Sequence, residues 1–239
     1  MHRMSDGPGF ELMWEGGSCL VVGKPPGLLT QAPPGIDSLE VRLKRFLAAR
    51  EPQAPPPYLA IIHRLDRPAS GVLVFARKIN AARKLALQFE HREVDKRYWT
   101  LVEGHVAEDS GEWIDWMSKV DGEARSEIVT PDGPRAQQAV LRFRVLARLA
   151  TSTWLEIQLQ TGRTHQIRLQ AAAHGHPVLG DSLYGAKSTF GPAADDERAR
   201  WIALHARSLE FLEPATRERV RVEFDPPWDS AEWLARPQL

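Results

Sequence analysis

Apolar and polar positions along this chain fall into short blocks. Residues 58–62 and 72–76 are compact apolar runs bounded by polar turns, which predicts two short buried strands. Residues 12–22 read as a strand broken by a turn at Gly16 and Gly17. Residues 98–103 predict another strand, and 113–117 and 126–129 predict shorter strands within a polar excursion. Residues 140–149 alternate apolar side chains with arginine, as a half-exposed strand does. Residues 153–159 set Leu155, Ile157 and Leu159 against Trp154, Glu156 and Gln158. Strands at 204–211 and 220–224 complete the set. Helical period is confined to three stretches. Leu39, Leu43, Phe46 and Leu47 line one face of residues 38–49. Asn80 is the expected N-cap of a helix running to about His91, with Ala82, Leu85, Ala86 and Phe89 turned inward. Residues 165–174 form the third, stopped by Gly175. The four prolines in residues 51–57 make that stretch a loop. Strands and helices mixed without regular β-α-β alternation predict the α+β class.

Composition narrows the picture. A chain of 239 residues with 43% apolar content can bury one large core or two small ones. No apolar run approaches membrane-spanning length, and the first nine residues lack the apolar centre of a secretion signal. The one cysteine, Cys19, excludes an intrachain disulfide and a cysteine-rich zinc site. These features point to the cytoplasm and to no membrane partner. The 31 basic and 31 acidic residues cancel, where nucleic-acid binders usually carry a basic excess. The charge is uneven, however. Residues 61–100 hold nine Lys/Arg against four Asp/Glu, a net of +5, and residues 191–239 hold seven against ten, a net of −3. A neutral body can thus present a local basic surface. Lys78, Arg83, Lys84 and Arg92 within that segment read as ordinary solvated helix charges.

The candidate chemistry begins at His63-Arg64-Leu65-Asp66-Arg67-Pro68-Ala69-Ser70-Gly71, between the two short apolar runs. A carboxylate in a turn between buried strands is costly to desolvate and calls for a cation beside it. Taken alone, the segment fits a structural turn carboxylate in a surface ion pair equally well. A second segment adds weight: Thr161-Gly162-Arg163-Thr164-His165-Gln166-Ile167-Arg168, followed by Gly175-His176-Pro177, Gly180-Asp181 and Tyr184-Gly185. Together the two resemble the RluA-type family of RNA pseudouridine synthases. Its first pattern is H-R-L-D-x-x-[ST]-S-G, and its second is T-G-R-T-H-Q-[IL]-R followed by G-H-P-x-x-G-D-x-x-Y-G. Lys96, Tyr98, Val102 and Gly104 match an intervening K-x-Y-x-A-x-V-x-G, with Thr100 at the small position. Lys24-Pro25-Pro26-Gly27-Leu28 resembles the early K-P-x-G-L turn, and Leu204-His205-Ala206 a late L-H-A signature. The matches keep the family order over nearly the whole chain. Ala69 stands where the family carries Ser or Thr, and Pro68 stiffens the turn.

The resemblance implies a single catalytic domain over 11–228, between tails at 1–10 and 229–239, with no RNA-binding domain ahead of it. It implies a bent, mainly antiparallel mixed sheet flanked by helices, with a central cleft for RNA. The implied activity is isomerisation of uridine in structured rRNA or tRNA. That reaction breaks the C1′–N1 bond, turns the base and rejoins it through C5, so its chemistry requires no cofactor and no metal. By the same resemblance Asp66 is the catalytic carboxylate, acting as nucleophile or base. Arg168 is its cationic partner, suited to a bidentate grip. Tyr98 stacks on the uracil near C5, although a tyrosine in a strand is by itself an ordinary core residue. Arg64, Ile167, His63, Arg163 and His165 form the expected substrate-binding set. Arg64 fills the gap left by the departing base, Ile167 lies beneath that base, and His63 and His165 brace the two motif turns. RNA is the expected partner, and the chain is expected to act as a monomer without an obligate protein partner.

Other readings are open at this level. An inactive RNA-binding module would tolerate damage at Asp66, Tyr98 or Arg168, and all three are intact. A phosphatase-type hydrolase built on Asp66 would want a second carboxylate two residues on, where Pro68 stands. The eight histidines show neither H-E-x-x-H nor a His pair four apart on one helix face, so no metal site is expected.

Overall fold

The computed structural model describes residues 9–53 and 55–228. In chain order its elements are β1 (Glu11–Glu15), β2 (Cys19–Lys24), α1 (Leu39–Arg50), β3 (Ala60–Ile61), β4 (Ser70–Ala76), α2 (Ile79–Glu90) and β5 (Asp95–Glu103). They continue with β6 (Ser110–Lys119), β7 (Ser126–Ile128), β8 (Gln137–Arg148), β9 (Ser152–Leu159), α3 (Gln166–Ala173), β10 (Leu204–Leu212) and β11 (Arg219–Glu223). The class is α+β, as the patterning predicts. The expected tail at 229–239, and 1–10 apart from Gly9 and Phe10, lie outside the described residues. The chain divides into two compact units. Among the described residues the first runs from Gly9 to Lys96 and takes in Asp196–Ala199 and Ala206–Pro226; the second holds Arg97–Asp195, Arg200–His205, Pro227 and Trp228.

The first unit is built on strands in the order β1-β2-β4-β10, with β3 added to β4 and β11 to β10. β1 and β2 form the antiparallel pair expected from the Gly16-Gly17 turn. β2 and β4 pair antiparallel from Cys19↔Ala76 to Lys24↔Gly71, and every residue of both is buried. That explains their near-continuous apolar sequences: a strand covered on both faces has no polar side to show. α1 starts at Ser38, whose hydroxyl accepts from the Val41 N–H, and it buries Leu39, Leu43 and Leu47.

Four expectations need correction here. The strand expected at 58–62 shrinks to Ala60–Ile61 and is only half-buried, with Tyr58 44% exposed. α2 begins one residue before Asn80, after an extended Lys78 that makes no side-chain cap. Its buried face is Ala81, Leu85 and Gln88 rather than Ala82, Leu85, Ala86 and Phe89. The physical reason is Gln88. Its amide donates to the Leu212 carbonyl and accepts from the Leu212 N–H, each at 2.8 Å, so a polar side chain goes inward where an apolar count would put it outside. Lys84, expected to be simply solvated, donates to the Pro214 carbonyl at 2.7 Å.

The second unit carries an antiparallel ribbon in the order β5-β9-β8-β6-β7. Leu141, Leu155 and Ile157 are fully buried at its centre. β6 and β8 are longer than patterning predicts, because one exposed face lets charged residues continue the ladder. α3 is short, but six of its eight residues are buried.

Candidate active site

Asp66 lies in the first unit, half-buried between the buried Leu65 and Ala69. The Ala69 N–H donates to the Asp66 carbonyl at 3.2 Å and closes the turn, which answers how the segment bonds without a hydroxyl at 69. The loop after β2 holds the chain on both sides of Asp66. Thr30 Oγ1 donates to the Leu65 carbonyl at 2.9 Å and accepts from the Leu65 N–H at 3.2 Å. The Gly27 N–H donates to the Arg67 carbonyl at 2.8 Å, and Arg67 Nε returns a bond to the Gly27 carbonyl at 2.9 Å. Lys24 completes the brace. Its fully buried ammonium donates to the carbonyls of Leu28 (2.8 Å), Pro25 (2.9 Å) and Arg67 (3.3 Å). Burial pulls this lysine down to about 7, opposed by the negative charge of Asp66 and reinforced by Arg67. A carboxylate in a turn tied at the residues before and after it is held in position before any substrate arrives.

Gly71 sets where this turn ends. Its φ is +127°, and a Cβ there would sit 2.4 to 2.6 Å from the backbone of Ala206. Only glycine permits that approach. Two residues before Asp66, Arg64 is exposed and makes no hydrogen bond or ion pair among the described residues. His63 is fixed by the fold. Its Nε2 accepts from the Val74 N–H at 3.1 Å, and its ring lies 4.6 Å from that of Phe89. Burial, helped by the charge of Lys96, holds its pKa down at about 3, so the imidazole is neutral.

Tyr98, Arg163, His165, Ile167 and Arg168 belong to the second unit. Tyr98 is buried on β5, opposite Ile157 of β9. The segment before α3 is organised by Gln166. Its carbonyl oxygen accepts from Thr161 Oγ1 at 2.8 Å and from the Arg163 N–H at 3.0 Å. Its Nε2 donates to the Val140 carbonyl at 3.1 Å and to Gln170 Oε1 at 2.9 Å. A buried amide with all its capacity spent fixes a loop where an apolar side chain could not. Arg163 Nε donates to the Gln138 carbonyl at 3.1 Å. His165 occupies the left-handed region at φ 56°, and its Nδ1 lies 2.9 Å from the Tyr184 hydroxyl; that hydroxyl accepts from the Ser126 N–H at 3.0 Å. Ile167 is buried on α3.

Arg168 is also buried and pairs with Asp181. Nε donates to Asp181 Oδ2 at 2.6 Å and Nη2 to Asp181 Oδ1 at 2.7 Å, while the guanidinium lies 5.2 Å from the Tyr184 ring centroid. Sequence reasoning gives Asp181 no role beyond its place in the second motif. Thirteen residues of separation carry no helical or strand period, and its one sequence signal is the G-D of the second motif. Thr30 and Gln166 were missed for the same reason. Among the described residues no three His, Cys, Asp or Glu side chains group to hold a metal ion, and no helix is long and apolar enough to cross a membrane.

Comparison with known proteins identifies the family of the chain. The family model described as RNA pseudouridylate synthase matches residues 18–173. The chain is 36% identical to the dual-specificity RNA pseudouridine synthase RluA of Haemophilus influenzae, over 89% of this chain and 91% of that protein. It is 34% identical to the ribosomal large subunit pseudouridine synthase D of Xanthomonas campestris, over 92% of this chain and 67% of that one. Among solved structures, human RNA pseudouridylate synthase domain containing 1 superposes with a TM-score of 0.71 at 26% identity. That match covers 94% of this chain and 87% of the human one.

Proposed function

The chain belongs to the RNA pseudouridylate synthase family, and from that premise we propose that it isomerises uridine in structured RNA with Asp66 as the catalytic carboxylate. The observation that carries the residue assignment is the bracing of the Asp66 turn. Thr30, Gly27 and Lys24 grip the backbone at residues 65 and 67 and so fix where the Asp66 carboxylate between them is presented. In the reaction the C1′–N1 bond breaks and a C1′–C5 bond forms. The proton on C5 is lost and N1 gains one, so atoms balance without an added reagent. Asp66 either takes the glycosidic carbon or base covalently or accepts the proton. Tyr98 stacks on the uracil, Ile167 packs beneath it, and Arg168 orients the carboxylate.

Arg64 contacts the RNA at the vacated position, and Arg163 contacts its backbone. His63 and His165 act by holding their segments. Ribosomal RNA of the large subunit is the first substrate to try, because several relatives are named for it. The test is pseudouridine formation on large-subunit ribosomal RNA and tRNA transcripts carrying tritium at uridine C5. Release of tritium by the intact chain, and none by Asp66→Ala, is the expected result. Turnover by Asp66→Ala would overturn the assignment.

A further inference from the structure

Lys24 and Lys96 both border the 63–67 segment of the first unit, and their ammonium groups are solvated in opposite ways. Lys24 is fully buried, but its three donors meet three carbonyl oxygens. Nothing remains for it to bind. Lys96, on β5, is partly buried, and among the described residues it makes no hydrogen bond and no ion pair. What faces it is the ring of Phe89, whose centroid lies 5.5 Å from Nζ. The same ring packs against His63, which directly precedes Arg64 in the chain. A ring face attracts an ammonium but accepts none of its N–H bonds, so the group has lost part of its water and kept its donors unspent. The loss shows in its titration, which burial shifts downward. His63 cannot compensate: its Nε2 already accepts from Val74, and Lys96 itself helps keep the ring neutral. A cation in such surroundings gains most from an anion that supplies both charge and acceptor oxygens.

We propose that Lys96 is a phosphodiester-binding residue, its ammonium taking an oxygen of the RNA backbone beside the target nucleotide. The assignment rests on the reading of Asp66 as the group that meets that nucleotide. Lys96 stands two residues before Tyr98 on β5, so by the two-residue period of a strand the two side chains leave the same side of it. Within the basic segment 61–100, this separates one lysine from helix charges such as Lys84, which is already engaged with a backbone carbonyl. The alternative is that Lys96 is a packing stem that props Phe89.

The two roles part in the salt dependence of binding. Lys96→Met keeps an unbranched stem against Phe89 and removes the charge. With a uridine-containing transcript of large-subunit ribosomal RNA, and with a short oligouridine as single-stranded probe, binding is measured across a salt series. Loss of one phosphate contact lowers the slope of log affinity against log salt by about 0.7 to 0.9 and weakens low-salt binding about tenfold. Lys96→Arg should keep the slope. Thermal stability of Lys96→Met should be unchanged or higher, because a cation leaves apolar surroundings. An unchanged slope on both probes overturns the proposal, as does failure of both Lys96→Met and Lys96→Gln to fold, since the lysine is then structural. Asp66→Ala run beside them separates the two levels. If it turns over substrate, the functional reading fails whatever Lys96 does; if it is inert and binds with the normal slope, the Lys96 result stands alone.

Discussion

Arg168 and Asp181 meet through two charge-assisted hydrogen bonds of 2.6 and 2.7 Å, with side chains 5% and 1% exposed. The arginine expected from the sequence to serve Asp66 thus also holds a buried carboxylate within its own unit. Asp181 takes the Nε–Nη2 edge and fixes the plane of the guanidinium, so whatever the other edge meets is met in a set orientation.

Stability follows from that burial. Arg168→Ala leaves Asp181, 1% exposed, without the guanidinium that meets it. The substitution should cost about 3–5 kcal/mol in urea unfolding. If the variant unfolds like the wild type, the pair does not anchor α3.

Asp66 should behave in the opposite way. It is half-buried, and the bonds that hold its turn come from backbone atoms and from Thr30, Lys24 and Arg67. Asp66→Asn is isosteric and keeps those bonds, so it should change unfolding free energy by about 1 kcal/mol or less. Its RNA affinity should persist and its turnover should vanish. A variant that is inactive because it is unfolded, seen by circular dichroism, would count against a purely chemical role.

His63 gives the pH signature. In the folded chain its pKa is held at about 3, against 6.5 for the free side chain. As pH falls from 6.5 towards 3, the unfolded chain takes up a proton that the folded chain refuses, so stability falls over that window. The full slope for one proton is about 1.4 kcal/mol per pH unit. Between pH 5 and 6.5, before most carboxylates titrate, wild type should lose stability faster than His63→Gln, whose amide oxygen can still accept from Val74. Parallel curves for the two proteins would show that His63 charges freely in the native state.

How far the sequence could be read depended on what each position answers to. The buried strands β2 and β4 were legible because burial on both faces writes itself as unbroken apolar sequence. α2 was found but turned by about one residue, because Gln88 is held inside by the backbone of Leu212, and hydrogen bonding across 124 residues leaves no local trace. The Lys24 turn was noticed as a motif, yet nothing local says that its ammonium is the plug for three carbonyls. Asp181 shows the same limit. Residue types and local order identify a family and a reacting group, whereas the partner of a buried charge is settled by tertiary geometry.

Arg64 supplies the last prediction. A uridine stacked in a helix hides C1′ and C5 from a carboxylate, so the enzyme must extract it, at a cost of about a few kcal/mol. Arg64 is exposed and unpaired among the described residues, and it precedes Asp66 by two positions on a segment whose far end is tied at Leu65 and Arg67. Its planar guanidinium can replace a base face in the stack while Asp66 addresses the flipped nucleotide. Arg64→Ala should then lose turnover heavily on RNA with the target uridine paired and recover part of it on RNA in which that uridine is already unpaired. The comparison is single-turnover rates on the two substrates at saturating protein. A plain phosphate contact would give equal defects on both, together with a shallower salt slope, so equal defects would remove Arg64 from base extraction and place it with the backbone-binding cations.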